Sequence, residues 1–101
     1  MLLSNALRYL RYYIPFKRSR DTAEAHYKYY LILLDKNPEC ELDIIDSAYS
    51  MRRYAREAEY LFQKLKGSSE VNKELSDIIE EANRALKFAD NKNKMKRMLE
   101  N

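Results

Sequence analysis

At 101 residues, with one glycine, two prolines, one cysteine and one histidine, the chain is predicted to form a single domain, residues 1–101, of modest stability. Folds built from strands and tight turns use more glycine and proline than this, which leaves long helices, while a lone Cys and a lone His exclude an internal disulfide and a Cys/His metal site. The net charge of +3 is laid out in blocks: residues 1–20 hold five bases and no acid, residues 21–51 hold seven acids against Lys28 and Lys36, Arg52, Arg53, Arg56, Lys64 and Lys66 turn the next stretch basic, and Lys92, Lys94, Lys96 and Arg97 close the chain.

A first helix is predicted from Leu2 to Ile14. Leu2, Leu3, Ala6, Leu7, Leu10, Tyr13 and Ile14 share one broad face, with Ser4, Arg8 and Arg11 opposite. Pro15 is expected to end it, having no N–H to donate. An amphipathic, arginine-bearing, acid-free opening also has the character of a mitochondrial targeting segment or a membrane-surface helix. Because it runs straight into capping signals, packing is the expected role, with Leu7 and Leu10 buried and Leu10→Ala costing about 2–5 kcal/mol.

Asp21-Thr-Ala-Glu24 reads as a capping box and opens a second helix that Asn37-Pro38 stops. Its stretch YYLILL (29–34) is apolar on every side and needs cover on more than one face. Short helices cover it poorly, so a homodimer is expected, with Tyr29, Ile32 and Leu33 in or beside its interface. A third helix is predicted from Pro38, capped by Asn37, to Lys66. Along it Ile44, Ala48, Met51, Ala55, Ala58, Phe62 and Leu65 alternate spacings of four and three, a heptad seam. Gly67 reads as a left-handed C-cap and a following serine as the next N-cap. The fourth helix repeats the seam with Val71, Leu75, Ile78, Ala82, Ala85 and Ala89, widened by Ile79 and Leu86. Residues 90–101 are expected as a frayed basic tail or a polar extension carrying Met95, Met98 and Leu99. The predicted fold is all-α, a four-helix bundle dominated by a long antiparallel hairpin of the third and fourth helices.

Two basic–aromatic clusters fit phosphate and base contacts: Arg8, Arg11, Tyr12, Lys17, Arg18 and Arg20 in the opening segment, and Arg52, Arg53 and Arg56 beside Tyr49 and Tyr54. Solvated helix faces paired with the acids of residues 21–51 explain them equally. A continuous, acid-free surface joining the two clusters would favour nucleic acid; interleaving by Asp43, Asp46 or Glu59 would favour a protein-interaction module.

Arg20-Asp-Thr-Ala-Glu-Ala-His26 resembles the ribonuclease motif of the small helical family abbreviated HEPN, which would set Arg20 and His26 on a scissile phosphate; in that family the motif follows several helices, and here it follows one. Gln63-Lys-Leu-Lys-Gly-Ser-Ser69 resembles the signature of histidine-phosphotransfer domains, His-x-Leu-Lys-Gly-Ser, in which the glycine leaves room for the phosphoryl group. Leu65, Lys66, Gly67 and Ser68 match, but Gln63 stands at the phosphate-accepting place. That resemblance implies a docking-only pseudo-phosphotransfer module for receiver domains; a C-cap followed by an N-cap accounts for the same residues.

The remaining expectations are absences: no Gly-rich phosphate loop, no Glu-x-x-His pair for a di-iron bundle, no metal, cofactor or small-molecule substrate, and no apolar run long enough to span a bilayer. Carboxylate pairs such as Glu57/Glu59 and Glu80/Glu81 do not face one another on a helix. The sequence thus predicts a non-catalytic, cytoplasmic interaction or adaptor module that binds a protein partner or itself, with nucleic-acid binding as the alternative.

Overall fold

Pro15 does not end the first helix. A computed structural model describes residues 2–100, with the backbone alone at residues 2, 93 and 100. Among the described residues there are three helices and no strand: α1 (Leu2–Lys36), α2 (Glu41–Lys66) and α3 (Lys73–Glu100). The chain is all-α, and the expected count of four helices is corrected to three, because the first two are one continuous α1 of 35 residues with Pro15 inside it.

A proline inside a helix removes one backbone hydrogen bond and crowds the carbonyl four residues back, at about 3 kcal/mol. Contacts with α2 on both sides of the proline offset that cost. Arg8 lies against Gly67 at the end of α2, Arg8 and Tyr12 share a cleft with Tyr60, Gln63 and Lys64, and Phe16 packs on Phe62 with ring centroids 5.7 Å apart. Between Pro15 and Asp21 the chain reads Phe-Lys-Arg-Ser-Arg, with no further breaker. The expected capping box is therefore mid-helix, and Asp21 and Glu24 turn to the Arg20 guanidinium instead, at 3.5 and 3.9 Å.

The other ends follow local rules more closely. Asn37 donates its N–H to the Leu33 carbonyl at 2.9 Å and accepts from the Cys40 N–H at 3.0 Å. Pro38 thus sits in a turn, not at the first helical position, and α2 starts at Glu41. Cys40, at its N-cap, supplies no side-chain bond, but Glu41 and Asp43 place negative charge on the first turn. Gly67 closes α2 with φ 68°, donating to the Gln63 carbonyl, a conformation in which a Cβ is strained. The cap of α3 is Asn72, not a serine: its Oδ1 accepts the Leu75 N–H at 3.1 Å. Val71, placed in the predicted seam, is exposed in the connection. Beyond Asp90 the helix continues to Glu100, tied to the start of α2 by an ion pair from Lys92 to Glu41.

α2 lies antiparallel to both neighbours. Phe16 meets Phe62 while His26 stacks on Tyr54; Arg52 donates to Asn83 while Glu41 meets Lys92. The core joins Phe16, Ala23 and Tyr30 of α1 to Ala48, Met51, Ala55 and Ala58 of α2 and to Leu75, Ile78, Ala82 and Leu86 of α3. The alanines let the three backbones approach closely. The result is a rod of 62 × 28 × 17 Å, in which the start of α1 runs past the end of α2 and the end of α3 runs past its beginning.

Candidate interaction surfaces

The opening segment presents its two sides the opposite way from expectation. The side of α1 turned to α2 carries Arg8, Tyr12, Phe16 and Ser19; Phe16 and Ser19 are buried. At roughly 100° per residue, Leu3, Leu7, Leu10 and Ile14 fall on the opposite side. Leu7 is 58% and Leu10 72% exposed, so their expected burial is corrected, and with it the expected cost of Leu10→Ala. The physical reason is coverage: α3 begins at Lys73, level with Glu24, and no other helix reaches this stripe. Stacking of Tyr9 on Tyr13, with centroids 4.6 Å apart, stiffens its flank.

The two basic clusters are set apart. Phe16 is level with Phe62 and His26 with Tyr54, so Arg52–Arg56 lies about 15 Å along α1 from residue 16, at ~1.5 Å per residue. Arg52 is turned to α3, bonded to Asn83 at 3.0 Å, over the Tyr49 ring. Arg53 lies over Tyr54, and Arg56 is exposed, one helical turn from Glu59. In the other cluster Arg8, Arg11, Lys17 and Arg18 are exposed, with Arg11 over Tyr12. Arg20 is half-buried, over Phe16 and beside Asp21 and Glu24. Arg20 and His26, six residues apart, project about 120° from each other on the helix and share no site. Gly67 caps α2 and Gln63 supplies the carbonyl it bonds, so capping accounts for the chain's one glycine.

Of the predicted dimer residues, Tyr29 and Ile32 are exposed, as are Leu31 and Leu34 beside them. Leu33 is 6% exposed, so it is buried within the chain beneath these residues rather than on the surface.

A groove of about 480 Å³ opens where the end of α1, the start of α2 and α3 diverge. Tyr30, Leu34, Ile44, Ile45, Ala85 and Phe88 line it, and Glu41, Glu81, Arg84 and Lys92 stand at its margin. Phe88 is 72% exposed. The Tyr30 hydroxyl donates to Glu81 Oε1 at 3.1 Å; burial, then that bond to a carboxylate, pushes its pKa up to about 12, so it stays a neutral donor. Sequence reasoning missed this groove because three distant segments build it; the one available signal was Phe88, a large apolar residue just outside the alanine seam of α3.

Nearer the middle of the rod Glu24 of α1 faces Glu74 of α3. A hydrogen bond shared with Glu74, then burial, raises the Glu24 pKa above its ordinary 4.5, against the lowering effect of Arg20. The folded state therefore favours protonated Glu24. Its contribution is fully present below the unfolded value and is lost as pH rises through the raised one. Glu24→Gln should make the protein more stable than the parent at neutral pH, with the gap closing well below pH 4.5. Thermal melts at the two pH values check this; equal melting temperatures at neutral pH would remove the carboxyl pair as a source of strain.

Among the described residues no group of three or more His, Cys, Asp or Glu side chains is placed to hold a metal ion, and no helix is long and apolar enough to cross a membrane. The chain matches no protein-family model, no curated protein and no solved structure.

Proposed function

We propose that this chain is a non-catalytic interaction module that associates with a second copy of itself through the groove and the adjoining outer face of α1. The observation that carries this reading is the groove: an open, apolar-lined concavity walled by the exposed Phe88 and Leu34, with Tyr29, Leu31 and Ile32 exposed on the other faces of the same turns of α1. Contiguous apolar surface of this kind is uncommon on monomers unless it binds something, and a two-fold pair is the commonest way to cover it. Opposite charges at the margin, Glu41 and Glu81 against Arg84 and Lys92, suit a self-complementary contact. The lone thiol of Cys40 fits a reducing, cytoplasmic setting.

Sedimentation velocity at tens of micromolar decides it. The parent should run as a dimer, and Phe88→Asp and Ile32→Lys should each shift it to a monomer that keeps the parent's helical content, since both side chains are exposed within one chain; loss of the dimer should also remove the concentration dependence of the melting temperature. A monomeric parent would refute self-association.

A second reading, nucleic-acid binding, draws on the exposure of Arg8, Arg11, Lys17 and Arg18 in a stretch without acids. It gains nothing from Arg52, Arg53 and Arg56, which face elsewhere and stand among Asp46, Glu57 and Glu59.

A further inference from the structure

We propose that the exposed stripe of α1, residues 3–18, is a docking face for the surface of an anionic lipid bilayer. Leu3, Leu7, Leu10 and Ile14 recur at spacings of four, three and four, and all four are exposed. They form a continuous apolar line about 16 Å long at ~1.5 Å per residue. The line points directly away from α2, so the bundle can rest on the far side of the helix while the stripe meets a flat surface. No rearrangement of the core is required.

Charge selects the occupant. At 100° per residue Arg11 and Arg18 border one edge of the stripe and Lys17 the other. Each has a long aliphatic stem that can follow the leucines inward while its charge stays at headgroup level. Residues 1–20 contain no acid; the next residue on the same line is Asp21, which ends the face. Tyr13, at the margin, offers an apolar ring with a polar tip, the side chain that favours the boundary between hydrocarbon and water. An interfacial helix with an apolar face and basic borders binds through buried apolar area together with attraction to anionic lipid. Two stripes pressed together from two copies would instead oppose bases to bases, with no acid to relieve them. Nucleic acid would use the bases and leave the four aliphatic side chains without a role.

Each base near an anionic leaflet contributes roughly fivefold in partitioning. The full-length chain should therefore float with phosphatidylcholine vesicles containing one-third phosphatidylserine. Pure phosphatidylcholine vesicles should be bound at least about tenfold more weakly. The double variant Leu7→Glu/Leu10→Glu should lose at least about tenfold in binding to the anionic vesicles, with an unchanged melting temperature because neither side chain touches the core. Lys17→Glu/Arg18→Glu should abolish the preference for anionic over neutral lipid. Phe88→Asp should bind vesicles like the parent, which separates this face from the groove.

Three results would overturn the proposal. One is a parent that ignores anionic vesicles, or binds them as well with both leucines replaced. Another is a leucine variant that keeps vesicle binding but loses self-association, which would make the stripe a protein interface. The last is salt-sensitive binding of a short duplex oligonucleotide that the leucine variant retains while no vesicle is bound, which would give the face to nucleic acid.

Discussion

Replacing Phe16 by alanine should destabilise the protein by about 3–5 kcal/mol, as large aromatic truncations in cores do. Phe16 is the first buried residue of α1 after Pro15. Its ring packs on Phe62, and the Arg20 guanidinium lies over it at 5.4 Å. Truncation would open a void where α2 splints the helix directly after the proline, so two weaknesses would coincide. For a domain of this size the melting temperature should fall by more than ~10 °C. Urea titration followed by circular dichroism gives the value; a loss below ~1 kcal/mol would mean that the first half of α1 is held by something other than α2.

The centre of α2 should resist both smaller and larger side chains. Met51 is fully buried and ranks among the largest such side chains, while Ala55 on the next turn is equally inaccessible. Met51→Ala should cost about 2–5 kcal/mol through the cavity it leaves. Ala55→Leu should cost about 1–3 kcal/mol by forcing the helices apart. The two errors have opposite volume signs, so they separate close packing from mere burial. If Ala55→Leu unfolds at the same urea concentration as the parent, α2 and its neighbours are not in close contact there.

The core of α2 and α3 was legible because heptad spacing is a local property of the sequence. Ala48, Met51, Ala55 and Ala58 are all fully buried, with Leu75, Ile78, Ala82 and Leu86 against them. The breaks after Lys36 and Lys66 were legible too, since Asn37-Pro38 and Gly67 act through their own backbones. Pro15 and the Asp21–Glu24 pair misled for the opposite reason. Each carries a terminus signal worth a few kcal/mol at most, and packing against Phe62, Tyr60 and Gly67 outweighs it.

The functional surfaces were harder to read. An apolar helix face in a sequence says that something covers it, not what. In the opening segment the basic and aromatic side took the intramolecular place and left the leucines outside. The groove had no sequence signature, because Tyr30, Ile44 and Phe88 meet only after the three helices have assembled. Asn72, the real cap of α3, was overlooked in favour of the serines directly after Gly67.

Pro15 also sets where the first helix can come apart. Its nitrogen has no proton, so the rung from residue 15 back to the Arg11 carbonyl is missing from the ladder. Among the described residues, the turns before it meet α2 through Arg8 and Tyr12 and bury no side chain, whereas those after it are anchored by the buried Phe16, Ser19, Ala23 and Tyr30. Fraying from the start of α1 is therefore expected to stop at Pro15, which would place the amide protons on its two sides in different cooperative units. Those before Pro15 are expected to exchange through local opening and those after it with the wider unfolding of the bundle, a difference that native-state hydrogen exchange would read. With that pattern, one uninterrupted helix by geometry is two segments by free energy, the leading one losing or regaining its order without drawing on the stability of the rest.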